Sequence, residues 1–214
     1  VVRLVGSEMC IRDSKYSKQS RSYKYISELF NKDFKSDELN YARDILKKWD
    51  LATDFKNTSA ALGVCVLSSE WISEQGQRIP QDPEISFREC VKELVQTYGR
   101  VDPPWSERNF IVRGSKKESV QGGPDVLRAI YGRNDEAGDL KAAGGDGLYI
   151  HVSWDKDGQQ KSKSIHQYGS ATQDESSIHF ADQMDLYIQE EYKPTFFDKE
   201  NLSKNISKIY NVPY

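Results

Sequence analysis

The chain has 214 residues, 37% hydrophobic and 29% charged, enough to bury a core and to build one or two domains. Its net charge is −3, from 30 basic and 33 acidic residues interspersed along the sequence, with no basic stripe to attract nucleic acid and no like-charged tail. No apolar stretch approaches the roughly 20 residues a helix needs to span a bilayer.

The opening segment VVRLVGSEMCIRDS, residues 1–14, does not start with Met and lacks the apolar length of a signal peptide. It resembles translated adapter sequence, with a natural strand VVRLV as the other reading. It is set apart from the fold, with Met9 and Cys10. Residues 15–214 are then the native part, and sequence upstream of Lys15 is expected to be missing.

The first predicted helix is capped by Ser36, with Asp37 and Glu38 in its first turn and Lys47 and Lys48 in its last. Leu39, Ala42, Ile45, Leu46 and Trp49 form its apolar stripe. DLATDFKNTS reads as a loop. Ser59 to Ile72 is apolar nearly all round and must be buried; its length favours a helix, while Val64, Cys65 and Val66 keep a strand open. Gly76 to Glu84 is a linker. A second amphipathic helix carries Phe87, Cys90, Val91, Leu94, Val95 and Tyr98 on one face, and Gly99 stands at its left-handed cap. Cys65 and Cys90 lie among apolar residues and are expected as free thiols acting as small hydrophobes, since sequence does not supply the geometry of a bridge.

Residues 101–130 read as a long irregular stretch. In GLYIHVSW, Leu148, Ile150, Val152 and Trp154 fall on one strand face, and Tyr149, His151 and Ser153 on the other. DKDG, Asp155 to Gly158, is a hairpin turn signal, and QQKSKSIHQYG returns as the partner strand. From His179 the spacing of Phe180, Met184, Tyr187, Ile188 and Tyr192 predicts a helix that Pro194 stops; Asp198 caps a short last one. The class is α+β: helices, one hairpin, closing helices. Two strands alone are marginal in water, so further strands are expected from elsewhere.

Four features invite chemistry. His151, His166 and His179 suggest a metal, but two sit on strands and one at a helix start, with no paired i, i+4 ligands. SSIHFADQ, Ser176 to Gln183, gathers serine, histidine and aspartate beside Asp174 and Glu175, yet without a strand–elbow–helix context for a triad. The simpler reading is a loop and helix start, with Ser176 or Ser177 near the cap. GGPDVLRA and AAGGDG fit no phosphate-binding pattern and point to tight turns. Trp105 in PPWSE can stack on a ligand or anchor packing.

The order of the longer motifs carries more. ARDILKKWD, the SAAL…W helix from Ser59, YGRVDPPWSERNFIVRG, GGPDVLRAIYG, GGDGLYIHVSW and SIHQYGSATQDESSIHFADQMDLY succeed one another from Ala42 to Tyr187. From Tyr23 onward the chain resembles the C-terminal part of the β chain of the penicillin acylase (penicillin amidase) family, which includes the acyl-homoserine-lactone and aculeacin-type acylases. It departs from that pattern at Gly147, where a Ser is common, at Ser170, where Gln is usual, and at Ile178, where Pro often precedes the histidine.

The resemblance implies an N-terminal nucleophile hydrolase with an αββα sandwich. There a serine freed by self-cleavage attacks the amide, its own α-amino group is the base, and an asparagine and a backbone N–H hold the oxyanion. The Gly-Ser pairs here, Gly6-Ser7, Gly114-Ser115 and Gly169-Ser170, are not followed by the Asn that marks the nucleophile. No proline-containing asparagine motif lies between Lys15 and Trp49. No catalytic residue is therefore assigned within the chain; both are expected upstream. The implied partners are the α chain and the rest of the β chain of the same precursor, together with an acyl amide substrate. No cofactor is implied for catalysis, a structural calcium can occur in the family, and the implied compartment is periplasmic or otherwise extracytoplasmic. The alternative is a non-catalytic relative, the fold kept as a binding or structural module.

Overall fold

The computed structural model describes residues 15–76, 81–171 and 173–206, so residues 1–14 lie outside it. The chain is α+β and divides into two compact units, the first ending at Asp146 and the second beginning at Gly147.

The first unit opens with helices α1 (Arg21–Ser27), α2 (Asp37–Lys48), α3 (Ala60–Gly76) and α4 (Pro83–Tyr98). Local chemistry sets their ends. Ser36 Oγ accepts from the Leu39 N–H at 3.4 Å, and the acidic first turn and basic last turn of α2 match its dipole. Asp82 accepts from Glu84 N–H at 2.8 Å, Pro83 occupies the first turn of α4, and Gly99 ends it with φ 70°. The buried element from Ser59 is a helix. Its Leu62 and Leu67 join Ile26, Leu29, Leu46, Phe87 and Leu94 in one core. α1 is an element the periodicity did not reveal. Cys65 and Cys90 are joined in a disulfide that ties α3 to α4 with Cα atoms 5.9 Å apart. That corrects the expectation of free thiols: side by side in the core, the two helices bring both Cβ atoms within bridging reach.

The stretch read as irregular is instead a short helix, α5 (Trp105–Arg108), and the start of a sheet. Its strands β1 (Asn109–Arg113), β2 (Lys116–Ser119), β3 (Ile130–Asn134) and β4 (Leu140–Gly145) lie in the order β2-β1-β4-β3. β1 and β2 form a hairpin, β1 runs parallel to β4, and β3 and β4 are antiparallel with a register shift between Tyr131 and Gly132. GGPDVLRA and AAGGDG supply turns and close backbone approaches here: Gly122 N–H donates to Thr53 O at 3.0 Å, and Asp146 Oδ2 accepts from Ala129 N–H at 2.6 Å.

The second unit holds strands β5 (Leu148–Trp154), β6 (Gln160–His166) and β7 (Lys193–Thr195), ordered β5-β6-β7, with helices α6 (Met184–Gln189) and α7 (Lys199–Asn205). The DKDG turn closes the β5–β6 hairpin, Asp155 accepting from Asp157 and Gln159 N–H at 2.9 Å each. Three corrections follow. The predicted hairpin has a third strand, and the helix expected from His179 begins only at Met184. It ends at Gln189, before Glu190 in the left-handed conformation (φ 59°), so Pro194 does not stop it; Pro194 sits in β7, a sheet edge where its missing N–H is tolerated. Asp198 caps α7, accepting from Asn201 N–H at 2.7 Å. The core of this unit is Ile165, Met184 and Tyr187, with the Tyr149 ring 6.2 Å from that of Tyr187. Tyr149 and Ile165 are register partners, so this is the covered face. Leu148, Ile150 and Trp154 lie on the other, 46%, 60% and 66% exposed.

No helix among the described residues is long and apolar enough to cross a membrane.

Candidate functional site

His151 and His166 cannot share a ligand. His166 pairs with Leu148 and His151 with Lys163; successive residues of β5 alternate sides, so the two histidines project from opposite faces of the sheet. Among the described residues no group of three or more His, Cys, Asp or Glu side chains is placed to hold a metal.

SSIHFADQ is a run of turns stitched to the preceding motif. Ser176 Oγ donates to Asp174 Oδ1 at 2.6 Å, and Ser177 Oγ accepts from His179 N–H at 3.2 Å. The cap of α6 is Gln183, not either serine. His179 Nδ1 lies 3.3 Å from Asp182 Oδ2, and Lys193 Nζ lies 3.8 Å from the same oxygen. Two strong ties hold the segment. Gln183 N–H donates to Tyr168 O at 2.8 Å while its side-chain Oε1 accepts from His166 N–H at 3.2 Å. Gly169 lies against the His179 carbonyl so tightly that a Cβ there would overlap it and approach Asp182 Oδ1 at 2.6 Å. The hydroxyls of Ser176 and Ser177 are engaged in local turns, so the arrangement holds backbone.

A second site, invisible to motif reading, lies in the first unit. A cavity of about 270 Å³ opens between α3, α4, α5 and the β3–β4 sheet. Val64, Trp105, Pro124, Ile130 and Leu140 give it apolar walls, and the disulfide reaches it through Cys65. Its polar part is an ion pair: Arg108 Nη2 donates to Glu93 Oε1 at 2.6 Å, and Asn134 Nδ2 donates to the same oxygen at 3.2 Å. Arg108 is only 2% exposed, and its guanidinium lies 5.9 Å from the ring centre of Tyr98. Burial, assisted by a hydrogen bond to Asp139 at 2.9 Å, pushes the Tyr98 hydroxyl well above its ordinary pKa, against the opposing Arg108 charge, so it stays a donor.

The guanidinium has five N–H groups to place. Nε and Nη1 have no hydrogen-bond partner, an expensive omission for a buried cation. Glu93 Oε2 is left facing Cys65 Sγ at 3.9 Å, a sulfur that carries no hydrogen once bridged. Nε and Nη1 of Arg108 are closed off from solvent, whereas the Glu93 side chain is 35% exposed. Sequence carried a faint signal: Arg108 follows fully buried Trp105 by three positions and Glu93 follows Cys90 by three, so each rides beside a buried side chain on its helix.

No family model matches the chain, and no curated protein matches it.

Proposed function

We propose that this chain is the C-terminal part of an amidohydrolase resembling the penicillin acylases, which cleaves N-acylated small molecules with a serine supplied from upstream sequence. The observation that carries the reading is the succession of six motifs in family order. Their packing is consistent with it. The PPWSE and GGPDV motifs meet in the core, where Trp105 Nε1 donates to Gly122 O at 2.8 Å, and the YGS and HFADQ motifs are stitched through Gln183 and Gly169. Such residues need their identities to build the scaffold, and none of them is asked to do chemistry. The Cys65–Cys90 bridge supports an extracytoplasmic setting, because disulfides persist mainly in oxidising compartments. The bare apolar face of β5 supports an αββα sandwich of which this chain supplies one portion.

The first test is a long read of the source DNA upstream of the Lys15 codon. An in-frame Gly-Ser-Asn junction followed by the asparagine motif is expected. Expressed as a precursor, it should split itself and hydrolyse an acyl amide, and alanine at the new serine should abolish both. Continuous native DNA encoding residues 1–14 behind a start codon would end the catalytic reading. The Arg108–Glu93 cavity would then favour the other one, a family-derived binding module.

A further inference from the structure

We propose that the open edge of β5 pairs with the same edge of a second copy of this chain, antiparallel, about a two-fold axis at His151. The pairing uses the edge and leaves the apolar face of the strand untouched, and it does not rest on the acylase reading.

The backbone shows what the edge offers. Gly147 O accepts from Gln167 N–H at 3.2 Å and Gln159 O from Asp155 N–H at 3.0 Å, so the odd-numbered residues of β5 turn toward β6. His166 N–H, opposite Leu148, donates to Gln183 instead. Leu148, Ile150, Val152 and Trp154 therefore turn N–H and C=O to the open edge. Sheet edges are ordinarily defended by charge, proline, shortness or a bulge. β7, the far edge of the same sheet, has three residues; Lys193 and Thr195 turn to β6, and Pro194, which has no N–H, holds the outside. In the first sheet, edge strand β2 is short and carries Lys116 and Lys117, and edge strand β3 carries Arg133 and a register shift beside Gly132. β5 has seven residues, LYIHVSW, with no charge, proline or glycine among them. Among the described strands it is the one edge without a defence.

The strand also complements itself. An axis at His151, the middle residue, pairs every residue of β5 and keeps like faces together. Leu148 meets Trp154 of the second copy and Ile150 meets its Val152 on one face, while Tyr149 meets its Ser153 on the other. An axis between residues would set the apolar face against the polar one. An axis at Ile150 or Val152 would leave two residues of each strand unpaired. The apolar pairs are those that exchange main-chain bonds, and cross-strand pairs of this kind stabilise a sheet. Each copy spends its open edge in the pairing, and β7 is blocked, so association closes at two.

The test is sedimentation of the full chain from micromolar to millimolar concentration. A reversible monomer–dimer equilibrium that stops at the dimer is expected. Ile150→Pro removes an N–H that faces the edge, and Val152→Lys sets a charge against Ile150 of the second copy. Each should raise the dissociation constant about tenfold or more. If near-UV dichroism reports that Ile150→Pro has disturbed the sheet, Val152→Lys decides alone. Cross-linking reads the register, in a Cys10→Ser background with Cys65 and Cys90 bridged. Under mild oxidation His151→Cys should join two chains, because the facing pair at the axis lies within disulfide reach, and Ser153→Cys should not. A monomer throughout the range would overturn the proposal and leave the edge to a strand from outside this chain. Dimers that Val152→Lys leaves unchanged, equal cross-linking by the two cysteine variants, or growth beyond the dimer would overturn it as well.

Discussion

Gly63 faces the ring of Trp49 inside the first unit, and a Cβ at that position would overlap the indole. Trp49 cannot swing aside without giving up its Nε1 bond to Ala52 O at 2.8 Å. Gly63→Ala should therefore destabilise the protein by about 1–3 kcal/mol, the usual cost of overpacking, although alanine is the better helix former; a denaturant midpoint equal to the parent's would refute the contact. His179 asks for a different expectation. Its side chain is 39% exposed and its partnership with Asp182 faces solvent, so His179→Ala should change stability by no more than about 1 kcal/mol. Gly169→Ala, which drives a methyl into the His179 carbonyl, should cost clearly more; the reverse ranking in thermal melts would mean that the His179 side chain, and not the close approach at Gly169, holds the segment. Asp50 supplies a pH dependence. Burial alone would raise its carboxyl, but bonds from Ala52 N–H and the Asn57 amide, with Lys15 nearby, outweigh it and hold the pKa below the usual carboxylate range. A depressed carboxylate contributes stability above its unfolded pKa of about 4, and that contribution fades as the pH falls through the lower folded value. Asp50→Asn should flatten this part of the acid limb in urea titrations between pH 5 and 2.

Among the elements, α2 was legible because cap, charge and stripe agree over three turns, α4 because its apolar stripe runs up to Gly99, and α3 because the length of its apolar run favours a helix over the strand that Val64, Cys65 and Val66 left open. The four strands of the first sheet were not. KKES, IYGRN and LKAAGG are short, glycine- and lysine-containing, and without steady alternation; pairing and the helical core beneath hold them, not their own propensity. The stripe from Phe180 to Tyr187 has true helical spacing, yet Gln183 spends its backbone N–H on Tyr168, and regular helix follows it. The candidate site was illegible for a related reason: Glu93 and Arg108 lie on different helices, and only tertiary packing joins them. The disulfide between α3 and α4 closes a loop of sequence separation 25, which corresponds to roughly 3 kcal/mol in the chain-entropy picture. Melting with and without a reductant should expose it; an unchanged midpoint after confirmed reduction would mean the helices need no bridge.

For the molecule as a whole, the bare side of the second sheet governs behaviour in solution. Leu148, Ile150 and Trp154 lie together on one face of β5, itself a sheet edge, which is the arrangement that invites association. Replacing Ile150 and Trp154 with threonine should suppress light scattering on concentration while leaving the melting temperature nearly unchanged; a large fall in melting temperature would mean that face is already packed. The bridge between α3 and α4 also has a meaning for the chain as a covalent object. Residues 65 and 90 bracket the whole connection between two helices, so a protease cut anywhere within it leaves one molecule, not two. On a gel such a nicked sample would run at full mass until a thiol is added and only then part into two bands. New chain ends could be opened there with both halves still leashed together.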